Sequence, residues 1–105
     1  MSKSSITTNP DWLHNSHAGE LLLSEFLEPL GMTKEAIAIA IDVPVESIRA
    51  VIEGKVPMNA ELDLRLGRYL RMSEGFFLRL QDQYELLEAK RALNGSLDRI
   101  VPRAA

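Results

Sequence analysis

The sequence predicts an all-α domain of five helices built around a central helix-turn-helix. Three observations carry that expectation. Apolar residues recur at three- and four-residue spacing in five successive segments. Residues suited to starting or stopping helices, chiefly Thr, Asn, Ser, Gly and Pro, stand between those segments. Two of the segments are short and separated only by Asp42-Val43-Pro44.

Residues 1–16, MSKSSITTNPDWLHNS, are polar and aperiodic and contain Pro10. They are expected to form an N-terminal arm, loose at least to Asn9, with Trp12 and Leu13 placed to tack its end onto the domain. From Ala18 the pattern changes. Leu22, Phe26, Leu27 and Leu30 recur on one helical side with Glu20, Glu25 and Glu28 between them, and the first helix is expected to stop near Pro29–Gly31.

The next stretch, EAIAIAID at 35–42, alternates isoleucine with alanine. A half-buried strand alternates apolar with polar residues; here both types are apolar. Thr33 precedes the run as an N-cap candidate, alanine is the best helix former, and Ile37 and Ile41 fall on one helical face. The spacing predicts a second helix over 33–41, too short to stand without packing. After the break, Pro44 suits the first turn of a third helix, 44–53, with Ile48, Val51 and Ile52 inward and Gly54 ending it. Asn59 is placed to cap a fourth helix through Met72, whose stripe is Leu62, Leu66 and Tyr69–Leu70. Ser73 is placed to cap a fifth, 74–93, carrying Phe77, Leu80, Tyr84 and Leu87, with Asn94–Gly95 as its stop. Residues 94–105 form a tail of no assigned structure, which leaves 17–93 as the folded domain.

The 33–53 region meets the demands of a helix-turn-helix at six positions. Two helices that cross closely need a small residue midway along the first, and Ala38 stands there. Ile37 and Ile41 supply the buried positions around it, Val43 the apolar residue of the turn, and Ile48 and Val51 the inward side of the second helix. Asp42 occupies the turn position that favours a left-handed conformation, which aspartate tolerates at some cost.

The chain has 105 residues and a net charge of −3, enough for one domain with a modest core. Residues 1–64 carry four basic and ten acidic side chains, a sum of −6, and residues 65–105 carry eight and five, a sum of +3. Overall acidity argues mildly against a polyanionic partner, but a local basic patch decides more than the total. The lack of cysteine removes disulfides and thiolate chemistry and fits a cytoplasmic setting. No apolar run approaches the length that spans a membrane. No cofactor loop is present, and neither a hydroxyl nor a carboxylate pair is placed for chemistry, so no enzymatic activity is expected. His14, His17 and Glu20 lack a third strong ligand nearby, and His17 is expected to cap a helix rather than hold metal.

Four blocks carry a family resemblance. HAGELLLSEFLEPLGMT at 17–33 is similar to the HPGE opening of HigA-type antitoxins, the VapI branch of the Xre-like helix-turn-helix regulators. The likeness continues through VIEGK at 51–55, ELDLRLGRYL at 61–70 and SEGFFLRLQDQYEL at 73–86, about two thirds of the chain. It implies a lambda-repressor-like five-helix domain that dimerises through its C-terminal helix. It also implies neutralisation of a HigB-type toxin, an mRNA-cleaving RNase, and repression of the shared operon through operator DNA.

In such a domain Val45, Glu46, Arg49 and Ala50 face outward from the third helix toward a major groove, with Ser47 at the edge. Arg49 suits guanine or a phosphate, Glu46 the N4 amine of cytosine, and Val45 a thymine methyl. Lys34, at the start of the second helix, and Lys55, after the third, suit phosphates. Ala18 replaces the proline usual in the HPGE block. Val45, Glu46, Ser47 and Glu53 stand where such proteins tend to carry basic or polar residues, so weaker operator binding than usual is expected. Arg65, Arg68 and Arg71 mark one side of the fourth helix, either as a contact patch or as solvated charge. Phe76, Phe77, Leu80 and Tyr84 read first as core. Because the fifth helix carries apolar residues on more than one side, part of it is expected to pair with a second copy, with Phe77, Leu80, Tyr84 and Leu87 as the candidate dimer contacts. A two-fold dimer would set two recognition helices one DNA turn apart. Glu20, Glu25 and Glu28 are the expected toxin contacts, since an RNase that binds mRNA should be basic. The alternative is an interaction module that neutralises a partner without retained operator binding, which Glu46, Glu53 and the net charge favour.

Overall fold

The computed structural model describes residues 14–104. Helix α1 is one continuous rod in three parts, Ala18–Leu22, a π-helical turn Leu23–Leu27, and Glu28–Leu30. It is followed by α2 (Lys34–Ile41), α3 (Val45–Ile52), α4 (Ala60–Leu70) and α5 (Phe76–Leu93), then a 3-10 turn at Ser96–Arg99. No strand occurs among the described residues, so the all-α expectation and the helical assignment of EAIAIAID both hold. Trp12 and Leu13 lie outside the described residues. The last part of the arm is seen, and there Asn15 donates to the Tyr84 carbonyl at 2.8 Å and to the Glu88 carboxylate at 3.2 Å.

Leu22, Leu27, Ile37, Ile48, Leu66 and Phe77 are wholly enclosed, with Ala38, Ile41, Val51, Ile52 and Leu62 nearly so. Each large side chain removed from water contributes about 1.5–3 kcal/mol, which holds helices as short as α2 and α3 that would melt alone. Helix α1 lies across α3 and α5, and α4 packs on α2 and α5. The approach of α1 to α3 is a contact between backbones. A Cβ built on Gly19 would stand 1.9 Å from the Val51 carbonyl oxygen, so only glycine fits there.

Local chemistry explains the ends of the helix-turn-helix. The Thr33 hydroxyl accepts from Ala36 N–H at 3.0 Å. Asp42 sits at φ 61°, the left-handed position expected of it. From there Val43 N–H reaches the Ala38 carbonyl at 3.0 Å and closes α2. Arg65 of α4 adds a second closure, donating from Nη1 to the Ile41 carbonyl at 2.9 Å. A cation there suits the negative end of the helix.

Several boundaries differ from expectation. Helix α1 ends at Leu30 with Gly31 left-handed, within the expected Pro29–Gly31 stop, but it carries Pro29 inside its last turn. A proline ring crowds the carbonyl four residues back, and the widened π turn immediately precedes it. Pro44 is the extended residue ahead of α3, not part of its first turn. Helix α4 ends at Leu70 rather than Met72, because Arg71 turns left-handed at φ 62° and Met72 N–H returns to the Gly67 carbonyl at 2.9 Å. Tyr69, assigned to the buried stripe, is 48% exposed.

The largest difference concerns the start of α5. It begins at Phe76, and Ser73 does not cap it; the Ser73 hydroxyl accepts from Arg79 instead. The cap comes from α4. The buried Asp63 carboxylate accepts from Gly75 and Phe77 N–H, each at 2.7 Å, and from Leu78 N–H at 3.1 Å. A carboxylate at a helix N-terminus satisfies orphan donors and meets the positive end of the dipole. Asp63 lies on the apolar stripe of α4 with Leu66, Gly67 and Leu70 at three-, four- and seven-residue spacing. A charge on an apolar stripe must find partners, and that signal was present in the sequence.

Candidate nucleic-acid interface

The face that could enter a groove is the outward side of α3. Ile48, Val51 and Ile52 turn inward, which leaves Glu46 and Ser47 exposed and Arg49 and Ala50 half-exposed. Val45 is half-buried and packs against the core, so less of it is offered to a partner than its sequence position suggested. Lys34 stands at the start of α2, half-exposed, next to the N–H groups that Thr33 leaves open. Lys55 is exposed beyond the end of α3, with Nζ 3.1 Å from Glu53.

Arg49 is the only cation on α3, and it is not free. Its Nη1 lies 3.1 Å from Glu46 on the preceding turn, and its Nη2 makes a short contact with Glu35 of α2. The guanidinium therefore ties the two helices of the motif together at their surface. Both carboxylates are well exposed, 58% for Glu35 and 78% for Glu46. Glu35 was not among the expected site residues, since nothing in sequence separation shows that residues 14 apart meet.

The other expected sites are placed as follows. Arg65 is engaged with Ile41 and with Glu61, so it belongs to the scaffold, while Arg68 and Arg71 remain exposed. His17 is the cap of α1, as expected. Its Nδ1 accepts from Gly19 and Glu20 N–H at 3.1 and 3.3 Å, and Glu20 returns a bond to His17 N–H at 3.3 Å. The Gln81 amide oxygen accepts from Ala18 N–H, which completes that helix start. Glu20 thus has a structural task that Glu25 and Glu28, both exposed, do not share. No cluster of three metal-ligating side chains occurs among the described residues.

Phe77, expected at the dimer contact, is in the core of its own chain: its ring is enclosed and meets Phe26 at 5.3 Å. Leu80, Tyr84 and Leu87 are half-buried, Tyr84 with its ring edge-on to His17 at 5.7 Å. The exposed apolar residues further along are Leu86 and Leu93 on α5, then Leu97, Ile100 and Val101. Leu86 and Leu93 are seven residues apart, hence on one side of the helix, a spacing present in the sequence but hidden among residues that pack inward.

No family model matches the chain. Two relatives do. Virulence-associated protein I of Dichelobacter nodosus is 31% identical over 86 residues, 82% of this chain and 79% of the relative. Antitoxin HigA-1 of Vibrio cholerae is 33% identical over 72 residues, 69% of this chain and 68% of the relative. Among solved structures, Pseudomonas aeruginosa PA4674 bound to its operator DNA superposes with a TM-score of 0.81 at 30% identity, covering 88% of this chain and 98% of that one. Pseudomonas aeruginosa antitoxin HigA with the higBA promoter superposes at 0.76 and 27% identity, covering 88% of this chain and all of that one. The fold, the placement of the helix-turn-helix within it, and these likenesses over most of both chains make this protein a member of the HigA-type antitoxin family that includes virulence-associated protein I.

Proposed function

We propose that this protein is the antitoxin of a type II toxin-antitoxin module, and that it acts as a homodimer that binds operator DNA ahead of its own gene and neutralises a HigB-type RNase. The observation that carries the DNA-binding half is the uncovered outward side of α3, bearing Glu46, Ser47, Arg49 and Ala50, beside the open start of α2 with Lys34. Relatives of the same fold have been solved on operator and promoter DNA. In this reading Arg49 contacts a guanine edge, Lys34 and Lys55 hold phosphates, and Val45, Glu46, Ser47 and Ala50 complete the base-facing surface. The dimer forms along the exposed apolar side of α5, through Leu86 and Leu93 with Leu80, Tyr84 and Leu87 at its border. Glu25 and Glu28 contact the toxin, with Glu20 beside them. The folded unit is 17–93, and the protein works in the cytoplasm without catalysis of its own.

The test is a titration of the dimer onto the DNA upstream of its gene at several salt concentrations. A sequence-specific complex that Arg49→Ala abolishes supports the reading. The absence of any complex at low salt supports instead a neutralising module without operator binding, which the pairing of Arg49 with two carboxylates favours. Co-purification of a small basic protein is expected under both.

A further inference from the structure

We infer that Glu35 is a specificity-determining residue that acts through Arg49: it removes the guanidinium's value as a phosphate binder while leaving its value as a base reader. This rests on the operator-binding reading above. The argument turns on the difference between net charge and donor count. Glu35, Arg49 and Glu46 together carry a net charge of −1, and their charged atoms lie within direct ion-pair distance. A phosphate on any DNA responds mainly to that sum, and the trio repels it. A guanine edge responds to directed N–H groups. Arginine has five of them, two on each terminal nitrogen, and each terminal nitrogen of Arg49 spends one on a carboxylate. One N–H per terminal nitrogen remains, which is what O6 and N7 of a single guanine require.

Glu46 alone would not do this. It lies on the same helix as Arg49, one turn back, and moves with it. Glu35 comes from α2, so its bond fixes the guanidinium relative to the whole motif. Glu35 also lies in the first turn of α2, so the carboxylate is anchored at the start of that helix. Lys34 beside it has no ion pair among the described residues and Lys55 is paired with Glu53, so Arg49, if released from Glu35, would join Lys34 as a general attraction for DNA on this face.

The experiment measures affinity for the upstream operator duplex and for a scrambled duplex of equal length, from low to moderate salt, for the full-length wild type and for Glu35→Gln. Release of Arg49 to a phosphate adds about one counterion to the exchange, so the log–log salt slope on scrambled duplex steepens by about 0.9 and affinity at 0.1 M salt rises about eightfold. Operator affinity rises by less than threefold, because Arg49 is already committed to a base there. Preference for the operator therefore falls. Glu35→Asp, which keeps the charge, restores it, and in an Arg49→Ala background Glu35→Gln no longer changes the slope.

Equal gains on both duplexes would mean that Glu35 only repels DNA at large, and would overturn the inference. So would a slope change that survives without Arg49. Binding of both duplexes alike by the wild type overturns the operator reading only, and the slope increment in Glu35→Gln then still decides the role of Glu35. Failure of both proteins to bind any duplex overturns both.

Discussion

The Asp63 carboxylate gives the sharpest stability prediction. It is 1% exposed and holds three N–H groups at the start of α5. A hydrogen bond to a charged group contributes roughly 1.5–3 kcal/mol, and a buried donor left without a partner costs about 1–3 kcal/mol. The three bonds share one acceptor group, so their costs do not sum. Phe77 N–H is buried and cannot turn to water, whereas the Gly75 side of the turn can. Asp63→Ala is therefore expected to cost about 4 kcal/mol, at the upper end for a lost cap plus an orphaned donor. Asp63→Asn keeps one oxygen facing Phe77 and Leu78 but presents an NH2 to Gly75 N–H, for a cost of about 2 kcal/mol. Urea denaturation followed by far-UV circular dichroism, at one fixed protomer concentration because the proposed dimerisation would add to apparent stability, measures both. In thermal melts the alanine variant should fall on the order of 20 °C below wild type. A loss under 1 kcal/mol for Asp63→Ala, or equal losses for both variants, would refute the capping argument.

Three further outcomes are expected. Gly19→Ala should destabilise by about 4 kcal/mol in the same denaturation assay, although alanine is the better helix former by about 1 kcal/mol, because its methyl meets the Val51 carbonyl instead of a movable side chain. Arg65→Met should lower stability by about 1 kcal/mol through loss of the Ile41 carbonyl contact, and it should leave the helix content of the native protein unchanged. Glu25→Lys with Glu28→Lys should slow association with the toxin about tenfold in stopped-flow or surface-binding kinetics, more at low salt than at high; an unchanged rate would remove the acidic side of α1 from the proposed interface.

What the sequence made legible was set by short-range rules. Thr33 and Asn59 cap α2 and α4 as their residue types require, Asp42 takes the left-handed turn, and Ile37, Ala38, Ile41, Ile48 and Val51 are all buried. These are properties of neighbours along one helix. The features it hid depend on pairs distant in the chain: Asp63 with Phe77, Gly19 with Val51, Arg49 with Glu35. Phe77 looked like a candidate for a partner chain because α5 carries apolar residues on several sides, and only the position of Phe26 decides which side faces home. On the interface, the identity of the outward residues was legible and their mutual neutralisation was not.

The meeting of α1 and α3 through Gly19 has a consequence for how such a protein changes over generations. The recognition helix rests on main chain at that point, not on the shape of a neighbouring side chain. Substitutions at Glu46, Ser47 or Ala50 can then accumulate without tilting the helix, and under the proposed operator binding a new DNA target can be learned while the mounting stays constant.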